Sequence, residues 1–216
     1  MDDELRQFLA SARGAAATAK ILPFDELRAR TEPAERWGLD ALRGRLVELS
    51  ARGATATMTA AIELVAEAQA QGEPVAWIAS AGSTFYPPDV ADSGVDLAAL
   101  VVVRAPDAAA AARSAERVLR SGAFGLVVID LPGADELPMA IQGRLVTLAQ
   151  SHDAAIACLT EKAEDTASLG SLVSLRAEAV RGRAGSEFRV TVRALKDKQR
   201  GPGWTHVVSR RGPSGL

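Results

Sequence analysis

The chain has 216 residues, 25 basic and 27 acidic side chains, a formal net charge of −2, and 48% hydrophobic against 4% aromatic residues. That composition supports a folded domain whose core is filled largely by Ala and Val, and no apolar run reaches the length of a membrane helix. The single Cys158 excludes an internal disulfide, and the acidic start Met1-Asp2-Asp3-Glu4 is unlike a secretory leader, so the expected compartment is a reducing cytoplasm.

Residues 1–13 predict a short helix, with Leu5, Phe8, Leu9 and Ala12 at helical spacing behind an acidic first turn. An Ala-rich stretch then leads to Ile21-Leu22-Pro23-Phe24, and Pro23 and Pro33 argue against a continuous helix. Residues 1–36 therefore read as a helix and arm, which either reaches a partner or folds back on its own domain. Residues 37–216 read as the core.

Within the core, Leu46–Leu49 predicts a strand, followed by a loop of small residues and a helix from about Ala56. That helix is expected to turn Met58, Ile62, Val65 and Ala66 to one face. Strands follow at Val75–Ala79, Leu100–Val103, Leu126–Asp130 and Ala154–Leu159, with helices over roughly 107–121 and 138–151. Continuous apolar strands separated by amphipathic helices imply strands buried on both faces, as in a parallel sheet. From Leu172 the texture changes to Leu172–Val180, Phe188–Leu195 and Trp204–Ser209 without long helices between. The expected fold class is α/β, a mostly parallel central sheet flanked by helices, with an antiparallel C-terminal edge.

Charge is distributed unevenly. From Arg176 onward ten basic residues face three acidic ones, a surplus of seven, which leaves the preceding chain with a deficit of nine. A basic end on an acidic body suggests contact with nucleic acid or an acidic protein, or else a solvated face on late edge strands.

In such a fold, phosphate is bound by the loop after the first core strand, where free amides and a helix dipole converge. A working loop also needs glycines, a Lys for the outer phosphates and a Ser or Thr hydroxyl for Mg²⁺. Here Gly44-Arg45-Leu46-Val47-Glu48-Leu49 runs into Ser50-Ala51-Arg52-Gly53-Ala54-Thr55-Ala56-Thr57-Met58-Thr59. This stretch resembles the strand–loop–helix opening of RecA-family recombinases. Leu39–Leu42, Ala76–Ile78, Gly94–Asp96, Leu126–Asp130, Val173–Arg176 and Gly185–Val192 resemble RecA segments in the same order, over about residues 35–200.

Placed on that resemblance, Ala51 and Ala56 stand at glycine positions, Thr57 at the phosphate-binding Lys and Met58 at the Mg²⁺-ligating hydroxyl; Gly53 remains. Loss of the Lys removes the principal cationic contact to a triphosphate, and a thioether is a poor ligand for Mg²⁺. Ala81 replaces the water-activating Glu, and Thr160-Glu161 replaces the phosphate-sensing Gln. Asp130 alone survives, either as a residual metal-side acid or, as favoured on sequence, as a cap or turn residue. The resemblance thus implies no ATPase, no cofactor and no metal.

A RecA-like core with such a loop, together with Phe85-Tyr86-Pro87-Pro88 and an Arg-rich end bearing Pro202-Gly203-Trp204, is similar to the ImuA family, which accompanies the polymerase-like ImuB. That resemblance implies a non-catalytic role in translesion synthesis and in control of RecA during the SOS response, with RecA or an ImuB-like protein as partner. By the same resemblance, Leu5, Phe8, Ile21, Leu22 and Phe24 are expected to dock on a RecA protomer, as a polymerising arm does.

The counterparts of the DNA-binding loops, Leu131–Leu137 and Glu161–Gly170, are short and acidic, with Lys162 the only cation. If DNA or a partner is met elsewhere, the candidates are Arg189, Arg193, Lys196, Lys198, Arg200, Arg210 and Arg211. Lys196-Asp197-Lys198 also resembles an element that reaches a neighbour's ATP across the RecA interface. The alternatives from other classes are a divergent ATPase and a DNA-binding module using the basic end. Cys158 is expected to be a buried structural residue, His152 a helix C-terminal residue, and Trp37, Trp77 and Trp204 packing anchors.

Overall fold

A computed structural model describes residues 37–211 except 54, 134, 135 and 186. Short α1 (Leu39–Leu42) precedes β1 (Leu46–Ser50) and α2 (Thr57–Ala70). There follow β2 (Val75–Ala79), two 3₁₀ turns (Pro87–Ser93 and Leu97–Ala99) and β3 (Leu100–Arg104). Next come α3 (Ala108–Arg120), β4 (Leu126–Asp130), α4 (Met139–Ser151) and β5 (Ala155–Thr160). The chain closes with β6 (Leu175–Ala184), β7 (Glu187–Asp197) and β8 (Thr205–Arg211).

The eight strands form one sheet in the order β3-β2-β4-β5-β1-β6-β7-β8. Pairing is parallel from β3 through β6 and antiparallel for β6–β7 and β7–β8. This is the expected α/β class with its antiparallel edge. β1, β2, β4 and β5 are buried throughout, as continuous apolar runs require when helices cover both faces.

Alternation along β1 divides the core in two. Val47 and Leu49 pack with α2 residues in one cluster, whereas Leu46 packs with α3 and α4 residues in the other. The α2 stripe is Ala60, Ala61, Leu64, Val65 and Ala68. This corrects the expected face: Met58, Ile62 and Ala66 flank the stripe and are only partly buried. Alanines let the helix approach the sheet closely, which side-chain hydrophobicity alone does not signal.

Local chemistry fixes the other helix starts. The Asp107 carboxylate accepts from the Ala110 amide at 2.7 Å at the head of α3, and Arg117 and Arg120 sit in its last turn. Pro138 precedes α4, and His152 ends it, as expected. The three tryptophans are buried; Trp77 stacks on Phe85 with ring centroids 4.0 Å apart.

Candidate functional site

The loop from β1 to α2 lies where a phosphate loop belongs, at the C-terminal end of a central strand. Three of its amides are engaged within the protein. Thr55 N–H donates to Gly53 O at 2.8 Å, Ala56 N–H to Ala179 O of β6 at 2.8 Å, and Thr57 N–H to Thr55 Oγ1 at 3.2 Å. An isolated bridge between Thr55 and Val180 fastens the loop to the same strand. A phosphate nest requires such amides to converge on a ligand; here these three are bonded to the chain itself. Gly53, at φ +84°, supplies a left-handed turn in the path.

The side chains complete the change. Ala51 and Ala56 are buried, and Met58 packs against the core cluster, so its thioether serves packing. Thr57 is half-buried with its hydroxyl 3.0 Å from Thr55 Oγ1. The pocket that Thr55, Thr57 and Met58 share with Ser83, Asp130, Thr160 and Glu161 has a volume of about 100 Å³, and among the described residues no Lys or Arg lines it. Small-molecule sites are typically roughly 300–1,000 Å³. The described lining offers no cation to balance a polyphosphate.

Asp130, the residual acid, has its carboxylate bonded to the turn beyond β2. It ends β4 with 6% exposure, accepts a 2.5 Å hydrogen bond from Ser83 Oγ, and faces the pocket. Burial raises its carboxyl above the ordinary range and the Glu161 charge adds to this; the Ser83 bond and Arg104 oppose both without cancelling them. Ala81 is exposed on the turn beyond β2. Thr160 turns inward, its hydroxyl donating to Glu48 Oε1 at 3.0 Å, and Glu161 is exposed at the pocket rim.

Sequence reading missed a buried polar seam beside this pocket. Glu48 in β1 forms an ion pair with Lys162 at 3.3 Å, and Arg176 in β6 is its register neighbour. Lys162, the one cation of loop 161–170, is buried. The available signal was Glu48 itself: a charge in a strand covered on both faces demands a partner. A second buried pair, Arg45–Asp197, was missed for the same reason. Cys158 is buried in β5, as expected, and burial pushes its thiol far above the ordinary range.

The basic end is divided, not gathered. Arg193 lies against Glu178 (2.6 Å) and Glu164, and Arg210 bonds Glu63 of α2 at 2.7 Å. In the β7–β8 register Arg189 pairs with Ser209 and Arg210 with Phe188, so these two arginines project to opposite faces of the sheet. Lys196 is half-buried, and that burial, with Lys198 and Arg176 nearby, lowers its pKa. Lys198 and Arg200 are exposed at the turn into β8, with Lys198 Nζ donating to Ser171 O at 2.5 Å. Arg211 ends β8. Leu5, Phe8, Ile21, Leu22 and Phe24 lie outside the described residues. Among the described residues no helix is long and apolar enough to cross a membrane, and no cluster of His, Cys, Asp and Glu is arranged to hold a metal.

Comparison with known families places these features. No match to this chain is found among curated proteins. The model of the RecA N-terminal domain matches residues 38–164, from α1 through β1, the altered loop and Asp130 to just beyond β5. The match takes in more than half of the chain, and the chain belongs to the RecA N-terminal domain family.

Proposed function

We propose that this protein is a non-catalytic RecA-like accessory factor of the DNA damage response. In this reading it resembles ImuA in translesion synthesis and modulates, by inhibition, RecA filaments, an ImuB-type polymerase-like partner, or both. The observation that carries the reading is the loop itself: a RecA-family frame in which the Thr55, Ala56 and Thr57 amides are bonded internally above a pocket of about 100 Å³. A subunit that joins ATP-binding relatives without holding ATP cannot support its neighbours' nucleotide switch. We assign partner contact to the arm (Leu5, Phe8, Ile21, Leu22 and Phe24) and to the basic strands, and propose that Lys196 and Lys198 meet a neighbour's nucleotide.

The test is co-purification with RecA, followed by filament assembly and strand exchange with and without this protein. Reduced filament length or strand exchange is expected. Unchanged filaments would leave an ImuB-type scaffold, read by direct co-purification with that partner. A DNA-binding module is the second reading, and it predicts affinity that falls steeply with salt and is lost on charge reversal at Arg189. The ion pairs of Arg193 and Arg210 weigh against it, because their charge is already met by Glu178, Glu164 and Glu63.

A further inference from the structure

We propose that residues 161–174 are locked in one conformation by a buried ionic device, centred on Glu48, Lys162 and Arg176, that works without nucleotide. The segment follows β5 beside the altered pocket, where the counterpart of a DNA-binding loop is expected from the family resemblance. Its carbonyls are held instead by the protein's own cations. Lys162 Nζ donates to Ala167 O at 3.2 Å, Arg176 to Ala163 O at 2.7 Å and to Thr166 O, and Lys198 to Ser171 O.

The carboxylate at the centre is saturated. Glu48 is fully buried; its Oε1 receives Thr160 Oγ1 at 3.0 Å and Lys162 at 3.3 Å, and its Oε2 receives the Leu169 amide at 2.7 Å. Burying charges is tolerated only when such partners are complete, and removing one member leaves the other exposed to the full desolvation penalty. Gln142 of α4 closes the far side. It donates to Leu137 O at 2.5 Å and accepts from the Leu172 amide at 3.0 Å. The segment is therefore tied to β1, β6, α4 and the β7–β8 turn at once, and each tie is internal. The exposed acids Glu161, Glu164 and Asp165 are carried on a fixed support, whichever partner the protein meets.

Hydrogen–deuterium exchange on the full chain, with and without millimolar Mg-ATP, tests this. The amides of Leu169, Leu172 and Val173 are expected to be protected and indifferent to nucleotide. Glu48→Gln is expected to speed their exchange at least tenfold while amides of β2 stay protected. Because Glu48 lies in the central sheet, Lys162→Met provides the second variant, altering the segment from its own side with the same expected result. Unprotected exchange in the wild-type segment, protection that appears only with Mg-ATP, or unchanged exchange in both variants would overturn the lock. These outcomes are read without any partner and so are separate from the fate of the accessory-factor reading.

Discussion

Arg45 and Asp197, 152 residues apart in sequence, meet in a buried ion pair at 2.6 Å that ties the start of β1 to the end of β7. Asp197 Oδ2 also accepts from Trp204 Nε1 at 3.1 Å, and Arg45 Nε donates to Ser174 Oγ at 3.0 Å. One contact thus joins the parallel core, the locked segment and the terminal hairpin. Removing one partner strands a buried charge, so Arg45→Ala is expected to cost about 3–5 kcal/mol in urea unfolding, and Arg45→Met with Asp197→Leu much less.

The same pair sets a pH dependence. Burial works to raise the Asp197 carboxyl, but the Gln199 amide, the Trp204 indole and Arg45 outweigh it and hold the group below its ordinary value. A depressed acid contributes stability that is present above its unfolded pKa, near 3.9, and is lost as pH falls through the folded value. Urea midpoints should therefore fall on acidification below about pH 4 in the wild type, and less steeply in Asp197→Asn.

Asp130 carries the opposite sign. Its raised pKa means that the fold favours the protonated form, whose contribution is full below the unfolded pKa and is lost as pH rises through the folded value. At pH 7 the ionised carboxylate is a burden. Asp130→Asn, which keeps an acceptor for Ser83, should melt higher than the wild type at neutral pH, and the gain should shrink towards pH 3. A lower melting temperature at pH 7 would contradict this.

Gly170 is required by Gln142. A Cβ at Gly170 would clash with Gln142 Nε2, which is buried and already engaged with Leu137 O. Gly170→Ala is expected to cost roughly 1–3 kcal/mol, as overpacking does. In a Gln142→Ala background the same change should cost little, and a double-mutant cycle on chemical unfolding measures the difference.

Restoring the missing loop side chains should not restore binding. In Thr57→Lys with Met58→Thr the cation and hydroxyl return, but the amides of Thr55, Ala56 and Thr57 remain bonded to Gly53, β6 and Thr55. Isothermal titration of this variant with Mg-ATP is expected to give no saturable heat to millimolar concentration. Recovery of binding would place the loss in the side chains alone.

The alternating strands and helices were legible because each strand is a continuous apolar run and each helix has its own period, so the α/β class and antiparallel edge followed from pattern. The substitutions at Thr57 and Met58 were equally legible, since a phosphate loop is a local motif. The closed backbone of the loop was not. It depends on the Ala56 amide meeting Ala179 of β6, a contact set by tertiary approach. Glu48 was visible as a charge in an apolar strand, yet its partners lie more than 100 residues away and become neighbours only through the β5-β1-β6 order. The basic end misled for a related reason. Charge counted along the chain does not reveal that Glu178, Glu164 and Glu63 stand against Arg193 and Arg210.

The central claim is that a RecA-family frame has been kept while its nucleotide chemistry has been given up. Titrating the wild-type protein with Mg-ATP by calorimetry tests it most directly. The expected result is no saturable heat up to millimolar nucleotide. Saturable binding at or below that concentration, abolished by Asp130→Ala, would contradict the claim and make the protein a nucleotide-binding member of its family.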